Sequence, residues 1–121
     1  MVIFNRCLQY FPNPVTALGV AQSVLTRGGV IVATGLAITQ QPDETMHRLE
    51  DERARFKQRF RMDLLIRPAK GFLDTDDMDR LEEAGLMLHA YPRMHLSRLR
   101  ARFDRTRPDH RYGVLDSTLA A

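Results

Sequence analysis

Residues 2–38, VIFNRCLQYFPNPVTALGVAQSVLTRGGVIVATGLAI, decide the fold of this chain. Val2–Phe4 is a short β-branched and aromatic run, and Val30–Ile38 is a longer apolar run broken only by Thr34 and Gly35. Runs without polar alternation read as strands buried on both faces. Between them Asn13 is placed to cap a helix whose first position is Pro14, where a missing N–H leaves nothing unpaired. That helix runs to about Leu25. Val15, Leu18, Ala21 and Leu25 recur near helical spacing, and Ala17, Val20 and Val24 widen the same face, so it should pack broadly on a sheet. Gly28 is placed to stop it in the left-handed conformation that helix ends use. Strand, crossover helix and strand in so short a span form a βαβ unit, whose handedness makes the strands parallel. The fold class is therefore α/β.

The remainder supplies helices and short strands. A helix is expected from Asp43 to about Phe60: Pro42 precedes it, acids fill its first half and bases its second, and Met46, Leu49, Phe56 and Phe60 trace one narrow stripe. Glu44 with Arg48 and Asp51 with Arg55 are i,i+4 pairs in the favourable order. Its plain role is to cover the sheet, and a pocket-lining role for Met46, Phe56 and Phe60 stands beside it. Leu64–Ile66 reads as a short extended piece ended by Pro68, followed by a turn at Lys70-Gly71. Arg67 and Lys70 are candidates for pairing with a substrate carboxylate, although exposed basic loop residues are the commoner case. Thr75 is expected to cap a further helix, with Asp76 and Asp77 at its positive end, Met78, Leu81 and Ala84 facing inward, and Gly85 closing it.

Composition bounds the function. With 121 residues and 44% apolar content, the chain suits one small domain that buries roughly two thirds of its unfolded surface. Its net charge of +3 is unevenly spread: Arg93, Arg98, Arg100, Arg102, Arg105, Arg107 and Arg111 face only Asp104 and Asp109 in the same region. Guanidinium clusters can grip phosphate. Here, however, Leu96, Leu99 and Phe103 form a helical stripe with the arginines mostly on other faces, which reads as a solvated helix. Phe103 and Tyr112 are the only aromatics nearby, giving little for base stacking, so nucleic acid is not the expected partner.

The single Cys7 rules out an internal disulfide and fits a reducing compartment. The start lacks a signal-peptide pattern, and the longest apolar run is far below the roughly 20 residues of a membrane span. Cytoplasmic residence without membrane contact is the expectation. His47, His89, His95 and His110 show no metal-ligand spacing, Cys7 has no histidine near it in sequence, and neither a metal site nor a nucleophile is expected.

Two groups of residues, NRCLQYFPNP with TRGGVIVATGL, and GFLDTDDMDRLEEAGLMLHAY with RYGVLD, carry a resemblance to class I S-adenosylmethionine-dependent methyltransferases. The first group is similar to that family's fourth strand, following helix and fifth strand. The second is similar to its last helix, sixth strand and a seventh strand folded back antiparallel. The resemblance covers residues 1 to about 116, and it implies the C-terminal part of a Rossmann-like three-layer sandwich, a βαβ unit followed by helices and an antiparallel strand pair. It implies S-adenosylmethionine as cofactor and methyl transfer to a small-molecule substrate. Asn5, Arg6 and Gln9 would then hold the cofactor, and Tyr10, Met46 and Phe56 the acceptor, with no catalytic residue named. The family's Gly-rich turn and the acidic residue that grips ribose have no counterpart: no G-x-G-x-G occurs, and no acid precedes Asp43. The resemblance therefore implies a truncated domain that lacks the N-terminal cofactor-binding strands. Its first strand would have an open edge suited to self-association or to a partner chain. The alternative is a non-enzymatic module that keeps such a sheet and binds a partner chain or an acidic polymer.

Overall fold

The computed structural model describes residues 1–65, 69–92, 95–104 and 107–118. Strand β1 (Val2–Asn5) leads through a 3₁₀ turn, Leu8–Tyr10, into α1 (Pro14–Val24), and β2 (Val30–Ile38) follows. Then come α2 (Pro42–Phe60), α3 (Thr75–Glu83), β3 (Met87–Ala90), α4 (His95–Phe103) and β4 (Asp109–Asp116). The sheet order is β1-β2-β4-β3. β1 and β2 are parallel, and β4 runs antiparallel to both of its neighbours. The α/β class and the parallel βαβ unit read from residues 2–38 are thus present, as is the antiparallel pair formed by β3 and β4.

Helix α1 begins as its sequence dictates. The Asn13 side-chain oxygen accepts from the N–H groups of Val15 and Thr16, and Pro14 takes the first helical position. The other end differs from expectation. The helix stops at Val24, and Leu25 turns extended (φ −69°, ψ 137°) to pack against the core. Gly28 (φ 77°) instead serves the following turn, closed by the Gly29 N–H to the Thr26 carbonyl.

The core lies between the sheet and the layer of α1 and α3. One cross-strand row of the sheet, Phe4–Ala33–Gly113–Leu88, faces these helices, and the fully buried Leu18, Ile31, Leu36, Leu73, Leu81 and Leu86 close over it. A Cβ at Gly113 would sit 2.7 Å from the Leu86 Cγ, so any side chain there must displace Leu86. A strand's side chains alternate in direction, so the neighbouring row Ile3–Val32–Val114–Met87 points the other way. Its outer members are open, Ile3 at 60% and Met87 at 58% exposure, while Val32 and Val114 between them are half-buried. Burial of β2 on both faces is therefore corrected to burial on one. Its unbroken apolar look arises because the second-face residues Val30, Val32 and Ala37, all half-buried, happen to be apolar too. Between Ala33 and Leu36 the pairing with β4 slips at a β-bulge.

Three further expectations change. Asp74, not Thr75, caps α3: its carboxylate accepts from the Asp77 N–H while the Asp77 carboxylate accepts from the Asp74 N–H, a reciprocal pair Thr75 lacks. Leu64 and Leu65 form no strand, and Ile66 and Arg67 lie outside the described residues. The extended contact comes later, where Leu73 bridges in parallel to Ile38 and its carbonyl accepts from the Thr39 N–H at 2.8 Å. The stripe of α4 does not pack either: Leu96, Leu99 and Phe103 are all exposed. Among the described residues no helix is long and apolar enough to cross a membrane.

Removing the Leu18 side chain is expected to cost about 2–5 kcal/mol in Leu18→Ala, and overpacking in Gly113→Ala about 1–3 kcal/mol. Gly19 lies in α1, where an added Cβ meets nothing within 4 Å. Gly19→Ala is expected to stabilise by about 0.5–1 kcal/mol. Urea unfolding of the three variants checks all three signs.

Candidate functional site

In an open α/β sheet the crevice beyond the carboxyl ends of parallel strands is the natural place for a ligand. Here β1 ends at Asn5 beside Thr34, where β2 is interrupted by its bulge before running on to Ile38. Asn5 pairs with Thr34, and the Thr34 hydroxyl donates to Asn5 Oδ1 at 3.0 Å, which leaves the Asn5 amide hydrogens to point elsewhere. The next residue, Arg6, adopts a left-handed conformation (φ 55°) in which its N–H reaches the Thr34 carbonyl at 3.0 Å. Non-glycine residues seldom hold this conformation, and it costs about 1–2 kcal/mol.

Gly35 completes the corner. It too is left-handed (φ 64°), and a Cβ on it would collide with the Arg6 Cγ, so the arginine stem lies directly across the glycine. The Gly35 N–H donates to the Tyr91 phenol oxygen at 2.9 Å. Tyr91 follows β3 and packs on Tyr112, which packs on His89, with ring centroids 5.3 and 5.2 Å apart. Since that phenol oxygen accepts from Gly35, its own O–H remains to donate. Asn5 amide, Arg6 guanidinium and Tyr91 hydroxyl are all donors, so the corner suits an acceptor group such as a carboxylate.

A second feature adjoins it on the helix side. A cleft of about 280 Å³ opens between the loop that enters α1 and the start of α3, with Gln9, Phe11, Pro14, Phe72, Asp77 and Arg80 on its walls. Phe11 is fixed edge-on against Phe4, with centroids 5.7 Å apart. Gln9 directs its Nε2 at the Arg6 carbonyl, 3.4 Å away, and its Oε1 is buried without a partner among the described residues. Lys70 also borders the cleft, its ammonium donating to Asp77 at 2.6 Å and Asp74 at 3.1 Å and lying over the Phe72 ring.

This ionic group is electrostatically settled. Burial lowers the Lys70 pKa, but hydrogen bonds to Asp77 and Asp74 outweigh it and hold the ammonium above its ordinary value. Burial raises the Asp74 pKa, and the Asp77 N–H together with the Lys70 ammonium outweigh that, keeping the carboxyl below its usual range.

The structure brings some expected site residues together and separates others. Asn5, Arg6 and Gln9 share one end of the sheet. Tyr10 is adjacent in sequence but 49% exposed. Met46 and Phe56 are half-buried on α2, Phe56 against Phe60, and neither borders the cleft of Gln9. Tyr91 was not foreseen, and nothing in sequence links it to Gly35. The Lys70–Asp74–Asp77 group has a partial signal, the spacing K-x₃-D-x₂-D at a helix start. Among the described residues no group of three or more His, Cys, Asp or Glu side chains is placed to hold a metal ion.

Compared with known proteins, the chain matches no family model, no curated protein and no solved structure.

The ionic group makes stability depend on pH at both extremes. The lowered Asp74 value gives a contribution present above the ordinary carboxylate pKa and lost as pH falls through the folded value. The raised Lys70 value gives one present below the ordinary lysine pKa and lost as pH rises through the folded value. Asp74→Asn keeps a capping side chain but no charge. Its unfolding free energy, followed by urea melts from about pH 2 to 6, is expected to fall less on the acid side than that of the unchanged chain.

Proposed function

We propose that this chain takes part in S-adenosylmethionine-dependent methyl transfer to a small-molecule acceptor, as the part of a class I methyltransferase that follows the Gly-rich cofactor turn. The observation that carries the reading is the corner where β1 ends against the bulge of β2, with Asn5 bonded to Thr34 and the left-handed Arg6 lying across Gly35. Supporting it are the parallel βαβ unit and the antiparallel last strand, both as the resemblance implies. The finer fold proposed with it is the C-terminal part of a Rossmann-like three-layer sandwich, of which the sheet and the α1–α3 layer are two.

The residues fit the cofactor in part. The donors of Asn5, Arg6 and Tyr91 suit the carboxylate of its amino-acid end. No acid from this corner is available for ribose, since none precedes Asp43. What the cofactor supplies when bound is an already activated methyl group. The task of the protein is then to align and to exclude water, with Arg6 and Asn5 fixing one end and the cleft beside Gln9 positioning an acceptor. The glycine-rich wall would come from a polypeptide pairing with the free side of β1, which is an edge strand of the sheet.

The exposed Ile3 and Met87, at the two ends of the row that runs through the half-buried Val32 and Val114, favour a second reading, a non-enzymatic module that binds a partner chain rather than an acidic polymer. Cofactor binding separates the two. Titration of isotope-labelled chain with S-adenosylhomocysteine is expected to shift the amides of Asn5, Arg6 and Gly35, and Arg6→Ala to weaken that response at least tenfold. A folded spectrum indifferent to the ligand removes the reading that the Asn5–Arg6–Gly35 corner holds the cofactor's amino-acid end by itself. Sedimentation at rising concentration is expected to show association through β1, moved at least tenfold toward monomer by Ile3→Lys. A strictly monomeric chain at all concentrations counts against the edge as an interface.

A further inference from the structure

The free side of β1 does not stand alone, because one flank of α1 looks out over it. Val15 borders the cleft with Asp77 and Arg80, and Gln22 borders a second cavity with Ala84 and Gly85, so the flank of α1 that carries these two residues faces α3. At 3.6 residues per turn, the opposite flank carries Ala17, Val20 and Val24. α3 adjoins β3, at the far edge of the sheet from β1. The second flank therefore looks past β1, and on it Val20 and Val24 are 62% and 70% exposed.

The strand is prepared for pairing on the same side. The Arg6 N–H reaches the Thr34 carbonyl. Backbone groups of successive strand residues point to alternate sides, so Val2 and Phe4 bond toward β2 while Ile3 and Asn5 direct their N–H and C=O groups outward. The sequence VIFN holds none of the charges or prolines that guard sheet edges, and its four-residue length is its only protection. A two-fold axis normal to the sheet at Ile3 pairs two copies antiparallel. Ile3 then meets its own counterpart in the hydrogen-bonded position, and Val2 lies opposite Phe4 on the helix side. The crossover lays α1 over β1 and β2. Two such helices then lie two strand spacings apart, about 9.6 Å, within the roughly 8–10 Å at which helices pack.

We propose that a second copy of this chain occupies the free side of β1, the two edges joining their sheets into one of eight strands and the Ala17–Val20–Val24 flanks of the α1 helices closing over the seam. A short strand pair is marginal by itself, and the helix contact supplies the apolar surface it lacks. Naming a second copy rests on the partner-chain reading above and is independent of methyl transfer. Within this dimer any other polypeptide must displace a copy to reach β1.

The test follows the full chain by sedimentation over a range of concentrations. Val20→Glu and Val24→Glu are each expected to weaken the dimer at least tenfold, and Ser23→Glu, exposed on the outer side of the same helix, less than threefold. All three positions are exposed, so the amide dispersion of the parent is expected to persist in each variant. Under mild oxidation Ile3→Cys is expected to give a disulfide-linked dimer, because Cα atoms in the hydrogen-bonded antiparallel position lie about 5.5 Å apart, within a disulfide's reach. Met87→Cys, on the opposite edge strand, and the parent chain are expected to stay uncross-linked. A dimer that both glutamate variants leave intact, or one that cross-links through Met87→Cys and not through Ile3→Cys, overturns this arrangement and keeps the partner-chain reading. A chain monomeric at every concentration overturns the second copy as the occupant, whatever its response to S-adenosylhomocysteine.

Discussion

The fold depends on the seat that Leu86 takes over the bare backbone of Gly113. β4 lies between β2 and β3, and at its centre a side chain is missing where the α3–β3 connection crosses. Leu86 fills that space and is fully buried with Leu81, Leu18 and Ile31 around it. Interiors are packed closely enough that one misplaced methyl group is felt. A side chain at Gly113 would displace Leu86, the residue through which α3 passes into β3, from this seat. The last strand, contributed from the far end of the chain, thus seats a connection between two elements that precede it.

The first 38 residues were legible because several local signals agreed. Asn13-Pro14 marks a helix start with both a donor-poor position and a capping oxygen, and two apolar runs on either side need a crossover. The errors arose where one signal had more than one physical cause. The apolar run of β2 looked doubly buried because sequence records the polarity of Val30, Val32 and Ala37 but not whether a layer lies above them. Thr75 looked like a cap because it is a good capping residue, whereas the reciprocal geometry of Asp74 and Asp77 appears only once the helix has formed. The order β1-β2-β4-β3 depends on pairing between residues some eighty positions apart, and no local pattern specifies it.

The candidate site was named from the resemblance, and tertiary packing adds residues that no local pattern announces. Asn5, Arg6 and Gln9 were expected from the resemblance, and all three lie where β1 leads through the 3₁₀ turn toward α1. The participation of Tyr91 with Gly35 and the approach of Lys70 and Arg80 to Gln9 arise from tertiary packing across more than fifty residues. Met46 and Phe56 lie apart from these residues, on α2. A stripe at helical spacing guarantees a face, yet α2 has no fully buried residue and meets the rest of the fold at few places.

One of those places is Arg53, whose guanidinium donates to the carbonyls of Ala69 and Lys70 at 2.6 and 2.9 Å. Another is the hydroxyl contact between Thr39 and Thr45, at the helix entrance. A helix of 19 residues secured by polar clasps rather than by a buried face opens at a lower free energy than the sheet it adjoins. The Lys70 carbonyl held by Arg53 belongs to the residue whose ammonium borders the cleft of Gln9. Local opening of α2 therefore loosens the backbone from which that lysine projects, and α2 acts as a lever on the cleft without touching whatever occupies it.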